Sequence, residues 1–586
     1  MHREPKLSHY IIKSKSIDNS KLEKKIRVAL LSSFTINGLE ETLRVKCAEN
    51  KLACTTYVSG YNQYNQDILN TGSDLYKFSP DIAFLILDTR SILKDLFYSP
   101  YSVSAADRRE FIGKRASELI DLAKTFTKRL NAKLVVTNFS IPTYSPYGIC
   151  EIKTEYGLQY MIRDLNDRLN GALLSDTSVY IYDFNAFVAK YGEINVFDYR
   201  QFFFGDIKVA LDYIPYLAED LMGYIKALLG INRKCIALDL DNTLWGGVLG
   251  EVGFEGIDLG PSAPGSGFVE FQRLLLSLNQ RGVILAINSR NNAEDALNVI
   301  RDHPYMVLRE ENFASLKINW NDKISNMKEI AEELNIGLDS ISYIDDDPIN
   351  RELMSKALPE VLTVDLPQDS SLYTRTLMGL SDFNLLTITS EDIKRGQMYV
   401  QQRKRIELEK TLASDLEGYL SQLGIRIKIK KADQFTIPRI AQLILKTNQF
   451  NLTTFRYQEE DVRRFSQDKN ILIGCAQTED KFGDNGITGA FIVRKNGPSE
   501  WTIDTFLLSC RVIGRGVEDA IMGFILNEAK GEGVTKIKCQ YIPTKKNKPC
   551  EEFLPNCGFK REGEYWVWSP DIPSKIPRHL DLLVES

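Results

Sequence analysis

Two aspartates one residue apart close the apolar run CIAL, giving CIALDLDNTLW with Asp239, Asp241 and Thr243. A strand ending in such a pair delivers both carboxylates to the loop at its carboxyl edge, where open α/β sheets bind ligands. At this spacing they can share one cation and one phosphate. Asp239 is the candidate nucleophile toward phosphorus, and Asp241 the general acid/base that protonates the leaving oxygen. Three later segments supply complementary groups. VILAINSR reads as a second buried strand ending at Ser289, whose hydroxyl can donate to a phosphate oxygen. In WNDKISNMKEIAEELNIG, Ile324, Met327, Ala331 and Leu334 share one helical face, and Gly337 reads as a C-cap. Lys323 falls in the first turn of that helix. A lone cation there opposes the helix dipole by roughly 0.3–1 kcal/mol, and a bound anion reverses the sign. ISYIDDDPINR ends a strand in Asp345, Asp346 and Asp347, carboxylates that repel one another unless they share a hard cation such as Mg2+.

The carboxyl-terminal third carries a different signal. WTIDTFLLSCRVIGRGVEDAIMGFILNEAK reads as a strand ending near Cys510, an R-x-x-G-x-G turn (Arg511, Gly514, Gly516) and a helix. Glycines at a helix amino terminus leave N–H groups able to hold a pyrophosphate or a phosphopantetheine phosphate. Two cysteines compete for any thiol chemistry. Cys235 lies on the Asp239 strand, about 13 Å behind it, and is expected to be buried as a small hydrophobe. Cys510 sits where a pantetheine thiol could approach, with Arg511 and the helix amino terminus favouring its thiolate. In FGDNGITG, Asp484, Asn485 and Gly486 read as a hairpin turn, with substrate contact as the alternative.

The elements that must position these groups alternate strand-like and helix-like over the first two thirds, an α/β pattern. IRVALLSSF, DIAFLILDTR, KLVVTNFS and VYIYDFNAF are near-continuous apolar strands suited to a parallel sheet covered on both faces. The organisation expected is an amino-terminal extension (1–25), a first α/β domain (26–228), the Asp239 domain (229–390), a charged helical connector (391–424) and a strand- and glycine-rich domain (425–586). The intervals from Asp239 to Ser289 and from Ser289 to Lys323 are consumed by core elements. No cap domain fits, and the site should be open enough for a substrate tethered to a carrier.

Bulk properties exclude other classes. The 586 residues carry a net charge of −5, without the basic footprint of a nucleic-acid partner. No apolar stretch reaches the length of a membrane span, and the amino terminus lacks a signal-peptide core, so a cytoplasmic protein is expected. Nine scattered cysteines without a C-x-x-C pair read as reduced thiols. Four histidines, His2, His9 and His579 near the termini, leave almost no material for a zinc site or a Ser-His-Asp triad.

The order D-x-D-x-T, Ser289, Lys323, Asp345–Asp346 on successive strand ends resembles the haloacid-dehalogenase (HAD) superfamily. The resemblance implies a capless Rossmann-like domain, an aspartyl-phosphate on Asp239, and Mg2+ held by Asp239, the Asp241 carbonyl and Asp345 or Asp346. The first domain is similar to SGNH hydrolases of flavodoxin-like fold, with Ser33 after its first strand. That family's late Asp-x-x-His pair is absent, so a structural or docking role is expected and Asp88 and Asp183 are ordinary loop carboxylates. The last domain resembles GNAT-type acyltransferases, an α+β fold, with Asn547, Phe553 and Phe559 in its closing segment and Asn547 as a substrate contact. Together, KCIALDLDNTLWGGVLGE, YIDDDPINR, TNQFNLTTFRY, FGDNGITG, SCRVIGRGVE and PTKKN resemble the FkbH-like glyceryl transferase/phosphatase family. That family's reaction loads a glyceryl unit from 1,3-bisphosphoglycerate onto the phosphopantetheine thiol of an acyl carrier protein and removes the remaining phosphate. Its carrier is acidic, which makes Arg426, Lys428, Lys430, Lys545, Lys546 and Lys548 candidate docking charges. For the first three, a solvated strand edge with protective lysines is the alternative. A phosphatase of a soluble metabolite and a non-catalytic carrier-binding scaffold are the competing functions.

Overall fold

The computed structural model describes residues 4–22, 24–411, 416–570 and 576–585. It divides into two compact units, His2–Ile225 and Lys226–Ser586. In the first, β1 (Lys24–Ser32), β2 (Leu52–Val58), β3 (Ile82–Ile86), β4 (Lys133–Thr137) and β5 (Val179–Tyr182) form a parallel sheet in the order β2-β1-β3-β4-β5. This is the flavodoxin-like order. Strand residues such as Leu31, Leu85 and Leu134 bury against helices Ala105–Arg129 and Leu158–Leu173. The segment expected to be an extension is part of this packing. Helix Leu7–Ser14 lies on helix Leu39–Glu49, and Glu4 joins Lys46 at 3.0 Å.

In the second unit, β6 (Cys235–Leu238), β7 (Ile284–Ser289), β8 (Phe313–Ile318), β9 (Ile341–Ile344) and β10 (Leu362–Thr363) form another parallel sheet, ordered β10-β9-β6-β7-β8. β6 is central because both its faces are apolar, with Cys235, Ile236, Ala237 and Leu238 all buried. Between β6 and β7 lie only the short turn Leu249–Val252 and helix Gly265–Gln280, so no cap is inserted.

Helices Ser390–Thr411 and Leu416–Leu423 lead to a mixed sheet. It comprises β11 (Arg426–Lys431), β12 (Phe450–Asn451), β13 (Ile471–Asp480), β14 (Gly483–Lys495), β15 (Glu500–Leu508), β16 (Lys536–Cys539), β17 (Lys560–Glu562), β18 (Tyr565–Trp568) and β19 (Asp581–Glu585). The order is β17-β18-β16-β15-β14-β13-β11-β19. β16 pairs with the first residues of β15, and β12 takes the same edge at Leu507–Leu508. The β13–β14 hairpin turns at Lys481–Phe482. Asp484, Asn485 and Gly486, expected to form that turn, lie inside β14 beside register shifts. β11 is also not an edge, because β19 covers its outer side in parallel.

Candidate active site

Four strand ends converge at the carboxyl edge of the second parallel sheet. Asp239 directly follows β6, and its backbone N–H donates to Ile344 O, which ties it to β9. Thr243 Oγ1 accepts the Asp346 N–H at 3.2 Å, linking the first loop to the β9 loop. Ser289, the last residue of β7, is buried and hydrogen-bonds the Asp239 carboxylate. Lys323 is the first residue of helix Lys323–Glu333, whose amino terminus is capped by Asp322. Its Nζ lies 2.6 Å from Asp345 Oδ2 and 3.1 Å from Asp239 Oδ1. The cation that the dipole would disfavour is thus offset by two carboxylates. Burial opposes the Lys323 charge, yet Asp239 and Asp345 hold its pKa above the ordinary lysine value.

Carboxylate oxygens of Asp239, Asp345 and Asp346 lie within 4.8 Å of one another, an arrangement that can hold a divalent cation. Burial, with Asp345 as neighbour, pushes both Asp239 and Asp346 up to about 6. Asp345 and Asp346 differ in availability. Asp345 Oδ2 accepts from Lys323 and Tyr343 Oη, and its Oδ1 accepts the Asp347 N–H at 2.9 Å and Asn350 Nδ2 at 3.4 Å. Among the described residues Asp346 makes no comparable side-chain bonds, while Arg351 grips the backbone oxygens of both residues. Asp345 therefore anchors the lysine, and Asp346 is the freer ligand.

Asp241 is aimed by three donors that sequence reasoning missed. Trp245 Nε1 (2.9 Å) and the Leu249 N–H (3.2 Å) bind Oδ1, and Asn291 Nδ2 (3.1 Å) binds Oδ2. Asn291 lies two residues beyond Ser289, a polar position at a functional strand end that could have been flagged. Nothing local marks Trp245 or Tyr343, whose neighbours read as core.

The expected thiol site is elsewhere. Cys235 is fully buried, and burial pushes its thiol above the ordinary range. Cys510 is half-buried, with its Sγ 3.5 Å from Tyr399 Oη and its carbonyl accepting from Asn335 Nδ2 at 2.6 Å. Cys510, Arg511, Gly514 and Arg515 line an open cavity of about 220 Å³ against Glu333 and Asn335. Asn335 follows the far end of the helix that begins at Lys323. At 1.5 Å per residue that helix puts Cys510 about 17 Å from the phosphoryl site.

Several expected contacts are used structurally. The Gly514 N–H, expected to face a phosphate, donates to Glu518 Oε1 at 3.1 Å, so the turn receives a carboxylate of its own helix. Gly516 is the N-cap of helix Val517–Gly531 at φ 82°, a conformation that suits glycine. Arg511 is buried, bonded to Ser509 Oγ and Met398 Sδ. Asn547 is a correction. Its Oδ1 accepts from Thr544 N and Oγ1, and its Nδ2 donates to Asn451 O and Ile542 O, each 2.9 Å away. A fully buried amide with every position filled ties β12 to the segment that follows β16 and has nothing left for substrate. The docking charges are also engaged: Arg426 with Glu479 and Asp581, Lys428 with Glu585, Lys430 with Asp433, Lys546 with Asp339. In the first unit, Ser33 is buried and its hydroxyl accepts the Asp88 N–H. Asp88 and Asp183 are N-caps of the helices that follow them.

Residues 27–226 match the family model of the FkbH N-terminal domain. The crystallised N-terminal part of BF1531 from Bacteroides fragilis, which contains a phosphatase domain complexed with Mg, is similar at 27% identity with a TM-score of 0.61. The match covers 66% of this chain and 100% of that one. A GNAT-family acetyltransferase from Staphylococcus aureus matches 25% of this chain and 99% of its own length at 10% identity and a TM-score of 0.20. No curated protein sequence matches the chain. The parallel sheet with Asp239, Asp241, Ser289, Lys323 and Asp346 at its carboxyl edge defines a capless HAD-type phosphatase domain. The amino-terminal domain thus matches the FkbH N-terminal family, and the chain is similar over two thirds of its length to a solved protein with a phosphatase domain.

Proposed function

We propose that the chain is a Mg2+-dependent phosphatase acting through an aspartyl-phosphate on Asp239, and that it loads a glyceryl unit from 1,3-bisphosphoglycerate onto the phosphopantetheine thiol of an acyl carrier protein. The observation that carries the phosphatase reading is the convergence of the Lys323 ammonium, the Ser289 hydroxyl and the Asp346 carboxylate on Asp239, with Asp241 held by three donors beside it. Mg2+, present in the Bacteroides fragilis relative, would be held by Asp239, the Asp241 carbonyl and Asp346, and would offset charge on the phosphoryl oxygens. An Asp239 oxygen forms the bond to phosphorus while the substrate P–O bond breaks, and Asp241 gives its proton to the leaving alkoxide. Asp241 then takes a proton from water, whose oxygen displaces Asp239 and yields inorganic phosphate. Lys323 and Ser289 hold the phosphoryl oxygens throughout.

The glyceryl step uses the acyl phosphate of the same donor. A thiolate, that of Cys510 or of the carrier, attacks the acyl carbon. The bond to the acyl-phosphate oxygen breaks and the phosphate departs. The remaining phosphate ester is hydrolysed at Asp239. The distance of about 17 Å between Cys510 and Lys323 exceeds the reach of any side chain, so a swinging carrier arm or a diffusing intermediate must connect them. That separation also favours a second reading, a phosphatase of a soluble metabolite whose carboxyl-terminal domain plays no part in the chemistry.

Incubation with Mg2+, 1,3-bisphosphoglycerate and a holo carrier protein, followed by intact-mass measurement of the carrier, tests both. A glyceryl adduct is expected. Phosphate release without carrier modification supports the second reading instead. Asp239→Asn should leave the adduct phosphorylated, and undiminished phosphate release would remove the nucleophile. Cys510→Ala should slow loading at least tenfold, and loading at the full rate would dismiss the enzyme thioester.

A further inference from the structure

We infer that the amino-terminal unit pairs with a second copy of this chain through an apolar face at the carboxyl edge of its parallel sheet. Two loops build that face. The first follows β4 and presents Tyr144, Ile149 and Ile152. The second follows helix Phe184–Tyr191 and presents Ile194, Phe203 and Phe204. All six side chains are between 69 and 96% exposed.

The two loops are joined into one surface. Thr143 N and Oγ1 both donate to Glu193 Oε2, at 2.9 and 2.5 Å, so the positions of Tyr144 and Ile194 adjoin. Pro142 of the first loop meets Tyr199 and Phe202 of the second around one crevice. Phe202 in turn packs edge-on against Phe203, with ring centres 4.9 Å apart. Bonds inside the loops fix their shape. The Ser145 and Tyr101 hydroxyls donate to the buried Glu151 carboxylate, and Asp198 caps helix Tyr199–Gly205. A face already held in shape loses little ordering entropy when it is covered.

Area and charge select the occupant. A large apolar or aromatic side chain offers about 150–250 Å², so six at these exposures present roughly 900 Å². Monomeric proteins rarely leave an apolar patch above about 300–600 Å², and about 800 Å² per partner makes a specific complex. The charged residues within 142–153 and 192–205 are Glu151, Lys153, Glu193, Asp198 and Arg200. The three carboxylates are spent on hydrogen bonds within the unit, which leaves Lys153 and Arg200 as the exposed charges. An acidic carrier or a nucleic acid would meet no basic field there. An apolar face with so little charge meets its own copy across a two-fold axis without appreciable repulsion, and C2 pairing is the commonest form of self-association. Cys150, an exposed thiol between Ile149 and Ile152, falls inside the covered area.

Light scattering on the full chain as it elutes from a sizing column tests the assignment. A dimer is expected at about 50 µM protein, from a dissociation constant in the micromolar range or tighter. The double variant Ile149→Asp, Phe204→Asp should run as a monomer, its dimer weakened at least about a hundredfold by two charges placed in the apolar centre. Both side chains are almost fully exposed, so the variant should keep its fold, read by circular dichroism. Maleimide labelling of Cys150 in the natural chain gives a measurement that needs no variant. Its rate should fall at least about fivefold between about 0.5 and 50 µM protein, as the dimer covers the thiol. A natural chain that is monomeric at the higher concentration, a folded double variant that stays dimeric, or a labelling rate independent of concentration would each overturn the pairing. A monomer that instead captures a holo carrier protein through this face would overturn it equally.

Discussion

Replacing Asp345 and Asp346 separately by asparagine should have opposite effects on stability, although the two carboxylates are adjacent in sequence. Asp345 is completely buried and neutralises Lys323 at 2.6 Å. Removing one partner of a buried pair costs about 3–5 kcal/mol, softened here because Lys323 keeps Asp239 at 3.1 Å. A loss of about 2–4 kcal/mol is expected for Asp345→Asn. Asp346 is raised from 3.8 to about 6 by burial and by Asp345. A carboxyl whose folded pKa exceeds its unfolded value keeps its proton longer when folded. Stability therefore falls as pH rises from about 4 to about 6, and the cost is complete above that. Two pKa units correspond to about 3 kcal/mol, and partial solvent exposure reduces this to about 1–2 kcal/mol. Without metal at pH 7.5, Asp346→Asn should thus be more stable than the natural chain by about 1–2 kcal/mol. It should also lose most of the Mg2+-induced rise in Tm and at least a hundredfold in phosphatase activity. Denaturant unfolding with and without Mg2+, beside a phosphate-release assay, measures all three. A destabilised Asp346→Asn that keeps its Mg2+ response would refute the division of roles between the two aspartates.

Two further outcomes follow from the carboxyl-terminal domain. Asn547→Ala orphans Thr544 N and the carbonyls of Asn451 and Ile542, and should cost about 3 kcal/mol in denaturant unfolding while phosphatase activity is unchanged. Glu518 is pushed up to about 7 by burial, so it lowers stability as pH rises from about 4.5 to about 7. Glu518→Gln should gain up to about 3 kcal/mol over the natural chain at pH 8 and nothing at pH 4.5, read from unfolding curves at both values. A constant difference across that range would place the cause outside the carboxyl group.

Much of the candidate site was legible as a cluster because its groups are defined by local chain geometry. An apolar strand followed by a carboxylate or hydroxyl puts that group on a sheet edge whatever the rest of the chain does. Asp239, Asp241, Ser289 and the Asp345–Asp346 pair each announced themselves in this way, Lys323 did so through the helical spacing that follows it, and the spacing left no room for a cap. The flavodoxin-like layering of the first unit was visible for the same reason, as near-continuous apolar runs.

Tertiary structure decided how those groups are used, because partners remote in sequence set hydrogen bonding and charge. Asp345 and Asp346 look alike in the chain, and only Lys323 and Tyr343 make one an anchor and leave the other open. The glycine turn after Cys510 has the pattern of an anion site, yet Glu518 takes its amide. Asn547 looked like a ligand contact until Asn451, far back in the chain, claimed its amide. Basic residues on β11 read as candidate docking charges or as a solvated strand edge until β19 brought Asp581 and Glu585 alongside. Residue type and spacing determine which atoms reach a sheet edge; whether those atoms remain available depends on desolvation and on neighbours that only folding brings close.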